Sequence, residues 1–203
     1  MAGLLCARVA GVVLLVAPCL VPPSAAQPPP SVPAVVSPGA QGPIEGLWAQ
    51  GERAYRAGDL DAALRFFEEA IARDDRRGRS WNYAGGVHFA RGDFNRALEH
   101  FRRAHELDPL DVRVCNNLGT AHERLGDFAL AEKMYLEAAR LDPLYPETHR
   151  NLGVLYARRL GRPEDARHSW QRYLDLVPAG SAAAAVRREL EFLPLEQAPA
   201  PAP

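Results

Sequence analysis

The sequence predicts an all-α protein in which helical hairpins stack into an α-solenoid. Glycines recur at equal intervals of 34 residues, at Gly58, Gly92 and Gly126, and each is followed by an aspartate and an apolar residue. Five residues after each glycine comes an alanine, four further on an aromatic residue, and three further again a second alanine. A single two-helix unit cannot cover its own apolar face, so a period of this length predicts that successive units stack on one another.

A fourth copy follows, with one additional residue before its glycine, Gly161, after which the alanine and aromatic positions resume. We expect a loop to absorb the additional residue, because loops tolerate insertions. The prolines agree with the division into copies. Pro146 opens the fourth copy, where a first helical turn tolerates proline. Three further prolines end copies, where proline cannot continue a helix: Pro109, Pro143 and Pro178.

Small residues recur on both predicted helices of each copy. The first helices carry Gly51, Gly85, Gly119 and Gly153, and the second helices carry alanines such as Ala97 and Ala131. Two helices approach closely only where side chains are small, and larger residues then fill the flanks. The spacing therefore predicts a closely packed helical pair in each copy.

The third copy carries the most complete set of positions that define a known repeat: Leu118, Gly119, Gly126, Ala131, Tyr135, Ala138 and Pro143. On these residues the chain resembles the tetratricopeptide repeat family. The resemblance implies four helix-turn-helix repeats at residues 44–77, 78–111, 112–145 and 146–180. The sequence departs from the family pattern at Asp75, where the first copy lacks its final proline, and at His88 and His122, where the family often has tyrosine.

Residues 1–26 have the order of a secretory signal peptide. Arg8 precedes an apolar stretch that runs from Val9 to Ala17, and small residues ending at Ala26 follow. The apolar stretch is too short to span a bilayer. We expect cleavage after Ala26 and export, with a bacterial periplasm as the favoured destination. An alternative is lipid attachment at Cys19, but the residue before it is a proline, where such a site has a small residue.

The segments that flank the repeats differ from them in composition. Residues 27–43 and 194–203 are rich in proline and lack apolar periodicity, which predicts a linker and a disordered tail. Residues 181–193 place Val186, Leu190 and Leu193 on one helical face. This pattern predicts a capping helix that covers the last apolar surface of the stack.

Charge and cysteine content exclude several classes of protein. The 24 basic and 25 acidic residues nearly balance, so the chain lacks the electrostatic footprint of a nucleic-acid-binding protein. Cys6 and Cys19 lie in the segment that we expect to be removed, which leaves Cys115 alone in the mature chain. An internal disulfide is therefore excluded.

No pattern in the sequence points to catalysis or to a cofactor. His88 and His122 share a place in successive copies, but a metal needs three or four ligands, and this place packs one helix against the other. Cys115 and His149 share another place, without a third group to orient a nucleophile. A Gly-rich phosphate loop, a paired-cysteine metal motif and a Gly-x-Ser-x-Gly elbow are all missing. We predict that the chain is not an enzyme and holds neither cofactor nor metal.

The resemblance implies a concave groove, lined by the first helices, that holds an extended peptide or a partner helix. In the family the second, fifth, sixth and ninth places of each copy face this groove. Arginine and asparagine recur at these places: Arg79, Asn82, Arg113, Asn116, Asn117, Arg150 and Asn151. Arginine pairs with carboxylates, and asparagine amides bond to peptide backbone. We therefore expect a partner peptide of acidic character. The likeness to the carboxylate-binding clamp of some family members is partial, because the first copy offers Glu45 and Glu52.

The expected function is that of a non-catalytic scaffold or adaptor of the cell envelope, which binds a partner protein in the groove. Two alternatives stay open. One is a structural component that associates with copies of itself, and the other is a lipid-anchored assembly factor of an envelope machine. We expect neither a nucleic-acid partner nor a membrane span.

Overall fold

The computed structural model describes residues 43–193, and within this range all regular structure is helical. The helices are α1 (Pro43–Arg56), α2 (Leu60–Arg73), α3 (Gly78–Ala90), α4 (Phe94–Leu107), α5 (Val112–Leu125), α6 (Phe128–Leu141), α7 (Pro146–Leu155), α8 (Pro163–Leu176) and α9 (Ser181–Phe192). Each of the four copies forms one antiparallel hairpin, and consecutive hairpins pack on each other. The predicted all-α solenoid is confirmed.

Three parts of the prediction lie wholly or mostly outside the described residues. These are the signal peptide at 1–26 with Cys19, the proline-rich linker at 27–43 and the tail at 194–203; the linker's last residue, Pro43, begins α1. None of the helices in residues 43–193 combines the length and the apolar character that a membrane span requires.

The Gly-Asp pairs form the tight turn inside the hairpins. Gly126 ends α5 with a φ of 88°, in the left-handed region that glycine enters without a steric penalty. Asp59 and Asp93 cap the helices that follow them, because their side chains accept hydrogen bonds from the backbone N–H groups of Ala62, at 2.9 Å, and Arg96, at 3.3 Å. In the third copy Asp127 makes no such cap, and its side chain lies 3.3 Å from His122 instead.

Each hairpin closes where a glycine of the first helix meets an aromatic ring of the second. A Cβ atom added to Gly119 would lie 2.5 Å from the ring of Tyr135, so only glycine leaves room for the ring. The same contact recurs in every copy, in the pairs Gly51–Phe67, Gly85–Phe101, Gly119–Tyr135 and Gly153–Trp170. The four rings are buried and form the centre of the core. The predicted close approach of the two helices is confirmed.

A side chain from the fourth place of the next copy closes each joint between copies. Trp81 Nε1 donates to the carbonyl of Asp75 at 2.8 Å, and His149 Nε2 lies 2.8 Å from the carbonyl of Pro143. Cys115 Sγ makes a weaker contact with the equivalent carbonyl, at 3.9 Å. The first joint, which lacks the proline of the family pattern, is therefore closed in the same way as the others.

The additional residue of the fourth copy lies within a helix, and the prediction that a loop absorbs it is wrong. Tyr156–Leu160 continue α7 as a π-helical turn, which ends at Gly161. A π turn accommodates one extra residue without interrupting the backbone hydrogen bonds of a helix. Tyr156 stays buried in this turn and donates a hydrogen bond to Glu132 at 3.0 Å. A loop at this point would leave those backbone groups to find other partners.

The last helix covers the end of the stack, as predicted. Val186 is buried, and Leu190 and Leu193 pack against the core of the fourth copy. An ion pair of 2.6 Å joins Arg158 on the π turn to Glu189 on α9. This helix therefore shields apolar side chains that a fifth copy would otherwise cover.

We expect Gly119→Ala to destabilise the fold, because its methyl group would press on the buried Tyr135 ring. Overpacking of this kind costs about 1–3 kcal/mol of unfolding free energy. Gly46→Ala is the matched control, since Gly46 also lies in a first helix and an added Cβ there meets nothing within 4 Å. This control should be neutral or stabilise by about 0.5–1 kcal/mol through helix propensity. Urea unfolding of both variants measures the difference, and equal effects would contradict the packing argument.

Candidate binding groove

The first helices of the hairpins lie on the inner side of the curved stack. Helix α3 contacts α5, and α5 contacts α7, whereas successive second helices lie further apart. A row of hairpins that is closer along one side curves toward that side. The side chains that α3, α5 and α7 direct along this inner side form the groove.

The predicted asparagines meet as a chain of amides across the three first helices. Asn117 Nδ2 donates to Asn82 Oδ1 at 2.9 Å, and Asn151 Nδ2 donates to Asn116 Oδ1 at 3.1 Å. All four side chains are buried. The amides therefore link α3 to α5 and α5 to α7, a structural role that their repeat positions alone did not indicate.

The same chain leaves polar groups of the amides without partners. Asn117 Oδ1 is buried and accepts no hydrogen bond from any described residue. The Nδ2 groups of Asn82 and Asn116 make no hydrogen bond within residues 43–193. Thr148, which the sequence pattern did not indicate, donates a hydrogen bond of 3.4 Å from its hydroxyl to Asn116 Oδ1. Thr148 occupies the third place of its copy, which the family pattern does not assign to the groove.

The three predicted arginines have different charge partners. Arg79 donates to the hydroxyl of Tyr83 and lies 3.7 Å from Glu52. Arg113 forms a two-pronged ion pair with Asp111, with distances of 2.7 and 3.0 Å. Arg150 donates to Asn151 Oδ1 at 3.2 Å, and no ion pair holds it within residues 43–193.

The ion pair beside α5 shifts the pKa values of both partners. Burial by itself would raise the pKa of the Asp111 carboxyl, but the hydrogen bonds and charge of Arg113 outweigh it and lower that pKa. Hydrogen bonding to Asp111 in turn raises the pKa of Arg113. Asp111 also caps α5, so this arginine is held at the start of its own helix.

A second network closes the groove at the joint between the first two copies. The Tyr83 hydroxyl donates a hydrogen bond to the buried carboxylate of Glu52, and burial raises the pKa of Tyr83. The guanidinium of Arg79 lies 4.6 Å from the centroid of the Trp48 ring, whose Nε1 donates to Ser80 at 2.9 Å. Glu45 and Glu52 are the two glutamates by which the first copy differs from a carboxylate clamp, and both have partners within the protein. Glu52 belongs to this network, and Glu45 forms an ion pair of 3.1 Å with Arg77.

The repeat pattern and the fold agree with a family of known proteins. A tetratricopeptide repeat profile matches residues 49–112 and 116–181, more than half of the chain, and a second profile of the same name matches residues 88–140. The chain belongs to the tetratricopeptide repeat family. No curated protein matches it significantly.

Solved structures of other tetratricopeptide repeat (TPR) proteins share the fold. A TPR protein of Thermus thermophilus is 24% identical, with a TM-score of 0.65 over 72% of this chain and 82% of that one. A double mutant of MamA RS-1 is 21% identical, with a TM-score of 0.64 over 76% of this chain and 85% of that one. The first TPR of Spaghetti, bound to the HSP90 peptide SRMEEVD, is 24% identical, with a TM-score of 0.53 over 58% and 93%.

The cysteine and histidines of the TPR stack lie in packed surroundings. Burial raises the pKa of the Cys115 thiol to about 11, so at neutral pH the thiol is protonated and unreactive. His122 Nδ1 lies 3.3 Å from Asp127. His88 packs against His100, with 4.8 Å between the ring centroids. Residues 43–193 contain no cluster of three or more histidine, cysteine, aspartate or glutamate side chains with the geometry of a metal site.

The amide chain should stabilise the stack measurably. We expect Asn82→Ala to lower the unfolding free energy by about 1–3 kcal/mol, because it leaves the buried Asn117 amide without its acceptor. Asn95→Ala is the matched control, since Asn95 is an exposed asparagine on α4. Urea unfolding compares the two variants, and a loss no larger than that of Asn95→Ala would contradict the role of the amide chain.

His88 should make the stack sensitive to acid. Burial lowers the pKa of His88, and the charges of His100, Arg91 and Arg96 lower it further against the opposite effect of Asp93. As the pH is lowered, His88 is therefore protonated at a higher pH in the unfolded chain than in the folded chain. Neutral His88 therefore makes its full contribution to the unfolding free energy above a pH of about 6.5. That contribution decreases as the pH falls toward the lowered pKa of His88 in the folded chain. His88→Tyr, the residue often found in the family, should lose less stability between pH 7.5 and 5 in parallel urea titrations; an identical loss would contradict this assignment.

Proposed function

We propose that this TPR protein is a non-catalytic scaffold that binds an extended acidic peptide of a partner protein in its groove. TPR proteins mediate protein–protein interactions, and the groove is the surface that the family uses for them. The proposal rests on which polar side chains of the groove have hydrogen-bond or ion-pair partners within the protein. Some are bonded within the protein and others lack partners, and the second set defines what a ligand would have to supply.

Arg150 is the proposed contact for a carboxylate of the partner. The charges of Arg79 and Arg113 are neutralised by Glu52 and Asp111, whereas no acidic side chain pairs with Arg150 within residues 43–193. Arg150 is partly exposed, and Glu147, one turn before it on α7, forms no ion pair with it. The backbone carbonyl of Arg150 accepts a hydrogen bond from Trp170 at 3.2 Å, which holds this part of α7 against α8. An unpaired guanidinium on a rigid helix favours a carboxylate ligand.

The amides of Asn82 and Asn116 are the proposed contacts for the peptide backbone. Their oxygens accept hydrogen bonds within the amide chain, but their Nδ2 groups donate none within residues 43–193. Largely buried donors gain free energy from an acceptor such as a peptide carbonyl. Because Asn82 and Asn116 lie on adjacent first helices, such a peptide would run along the groove, with its acidic residue toward the fourth copy.

A related protein offers a precedent for the chemistry. The first TPR of Spaghetti was solved with the HSP90 peptide SRMEEVD, which contains two consecutive glutamates and a terminal aspartate. That structure is 24% identical to this chain and shares its fold. An acidic peptide is therefore a ligand of the kind that this architecture holds, and we carry it over to this chain as part of the proposal.

We also propose that the protein works outside the cytoplasm, as part of the cell envelope. The support is the sequence of residues 1–26, with its basic start, apolar stretch and small final residues. Cell fractionation followed by N-terminal sequencing tests this point. A mature protein that begins at Gln27 in the soluble envelope fraction is expected, and a chain that retains residues 1–26 in the cytoplasm would contradict export.

The decisive binding experiment replaces one charge in the groove. Arg150→Glu should weaken binding of an acidic peptide library by at least tenfold in fluorescence anisotropy, because it puts a negative charge where we place the ligand carboxylate. Arg102→Glu carries the same charge change on the exposed side of α4 and should leave binding within twofold. Equal losses in the two variants would show a general charge effect, and no loss in either would exclude the groove.

A further inference from the structure

Two histidine rings lie against each other inside the second hairpin. His88 on α3 is 4% exposed, and 4.8 Å separates its ring centroid from that of His100 on α4. The ring of Trp81, seven residues before His88, lies 5.4 Å from that of His100. His100 Nδ1 donates to the backbone carbonyl of Arg96 at 2.9 Å, since a carbonyl oxygen can only accept. The pair is therefore held between the two helices of one hairpin.

The third hairpin gives the equivalent histidine different neighbours. His122 occupies in α5 the place that His88 occupies in α3, and its Nδ1 lies 3.3 Å from the carboxylate of Asp127. Met134, which cannot be protonated, stands where the second hairpin has His100. A positive charge on His122 would thus have a carboxylate beside it, and no second histidine occupies the equivalent place on α6.

The second hairpin has the corresponding aspartate, but its carboxylate makes other bonds. Asp93 follows His88 by five residues, as Asp127 follows His122. Asp93 accepts from the backbone N–H of Arg96 at 3.3 Å, which caps α4, and pairs with the guanidinium of Arg96 at 3.4 Å. Among residues 43–193 the histidine that forms an ion pair with its aspartate is His122 and not His88. A protonated His88 would therefore lack the partner that His122 has.

The charged groups around His88 act mostly against its protonation. Burial lowers the pKa of His88, and the charges of His100, Arg91 and Arg96 lower it further, while Asp93 raises it. Two charged rings at this separation repel each other, and water screens that repulsion less at a buried site than at the surface. The repulsion acts between α3 and α4. Because a copy in a solenoid contacts only its neighbours, one hairpin can loosen without unfolding of the whole stack.

The start of α3 is held less firmly than the start of α5. Arg77, the residue before α3, makes no side-chain cap, whereas Asp111 caps α5 by accepting from the backbone N–H of Arg113 at 2.9 Å. Capping hydrogen bonds of this kind stabilise the first turn of a helix. Weaker packing of α3 on α4 is therefore opposed by fewer side-chain hydrogen bonds at the start of the helix than it would be in the third hairpin.

We propose that His88 and His100 form an acid-sensitive switch that loosens the packing of α3 on α4 in mild acid while the third hairpin stays closed. Histidine is the side chain that ordinarily changes its charge between pH 5 and 8, and buried histidine clusters use that change to alter packing. Helix α3 also carries Arg79 and Asn82, so a change in its packing would reach the groove. The inference concerns the hairpin and holds whether or not the groove binds a peptide.

Hydrogen–deuterium exchange of the full chain at pH 7.5 and 5.5, corrected for the pH dependence of the intrinsic exchange rate, tests the switch. In the wild-type chain the amides of α3 should exchange at least tenfold faster at pH 5.5, and those of α5 should change less than twofold. His88→Tyr and His100→Met introduce the residues that the fourth and third copies carry at these places, so the fold should be kept. Either substitution should reduce the acid effect on α3 to less than threefold. The double variant should reduce it no further, because either change removes the pair.

His122→Tyr is the matched control, because it removes the equivalent histidine of the third hairpin and should leave the acid effect on α3 unchanged. His100→Gln is a second neutral variant, whose amide can donate to the Arg96 carbonyl as the ring does, and it should behave like His100→Met. Circular dichroism at pH 7.5 checks that each variant is folded. An acid effect that is absent from α3, or equally large in α5, would overturn the proposal. Persistence of the effect in both His100 variants, or its loss in His122→Tyr, would overturn it as well.

Discussion

The close approach of two helices at a glycine is the contact on which the rest of this structure depends. In each of the four hairpins an aromatic ring of the second helix occupies the space that the side chain of any residue other than glycine would need, with 2.2–2.6 Å between the ring and a hypothetical Cβ. This contact sets the distance between the helices and buries the largest side chains of the core. Because the contact recurs with the repeat, every hairpin has nearly the same shape and presents the same face to its neighbours. The regular stack and its curvature follow from that repetition.

The stack places polar side chains between neighbouring first helices, where they must find partners. Asn82, Asn116, Asn117 and Asn151 meet this requirement by bonding to one another across the joints. A chain of amides that pairs oxygen with nitrogen leaves unused groups at its members, because each amide has both donors and an acceptor. The amides that the proposed peptide would contact are thus the same side chains that hold the first helices together.

The arginines at the two ends of the groove, Arg79 and Arg150, have different partners, because the joints between copies supply different side chains. At the joint between the first two copies, Glu52 pairs with Arg79 through a network that includes Tyr83. In the fourth copy Glu147 lies one turn before Arg150 on α7, but no ion pair joins the two side chains, and Arg150 donates to Asn151 instead. Arg79 is therefore neutralised within the protein, whereas the proposed peptide would meet Arg150 without an ion pair among residues 43–193.

The sequence by itself determined the fold class and the limits of the hairpins. The positions of glycine, alanine, aromatic residues and proline are local requirements of turns and of close helix packing, and a fixed period repeats those requirements along the chain. The resemblance to the tetratricopeptide repeat family also implied which places of each copy face the groove. The additional residue before Gly161 was assigned wrongly to a loop, since the sequence does not distinguish a loop from a π turn that preserves the buried contacts of Tyr156.

Only the tertiary structure decided what the groove residues bond to. Asn82 and Asn117 are 35 residues apart, and their hydrogen bond depends on the rotation of one hairpin against the next. The same rotation brings Arg79 to Glu52 and leaves Arg150 without an acidic partner among residues 43–193. A repeat position specifies the direction of a side chain on its own helix, whereas a partner on another hairpin depends on distances that are set by the packing of the whole stack. For that reason the sequence identified the lining of the groove, and the folded chain determined which of its charges and amides are available to a ligand.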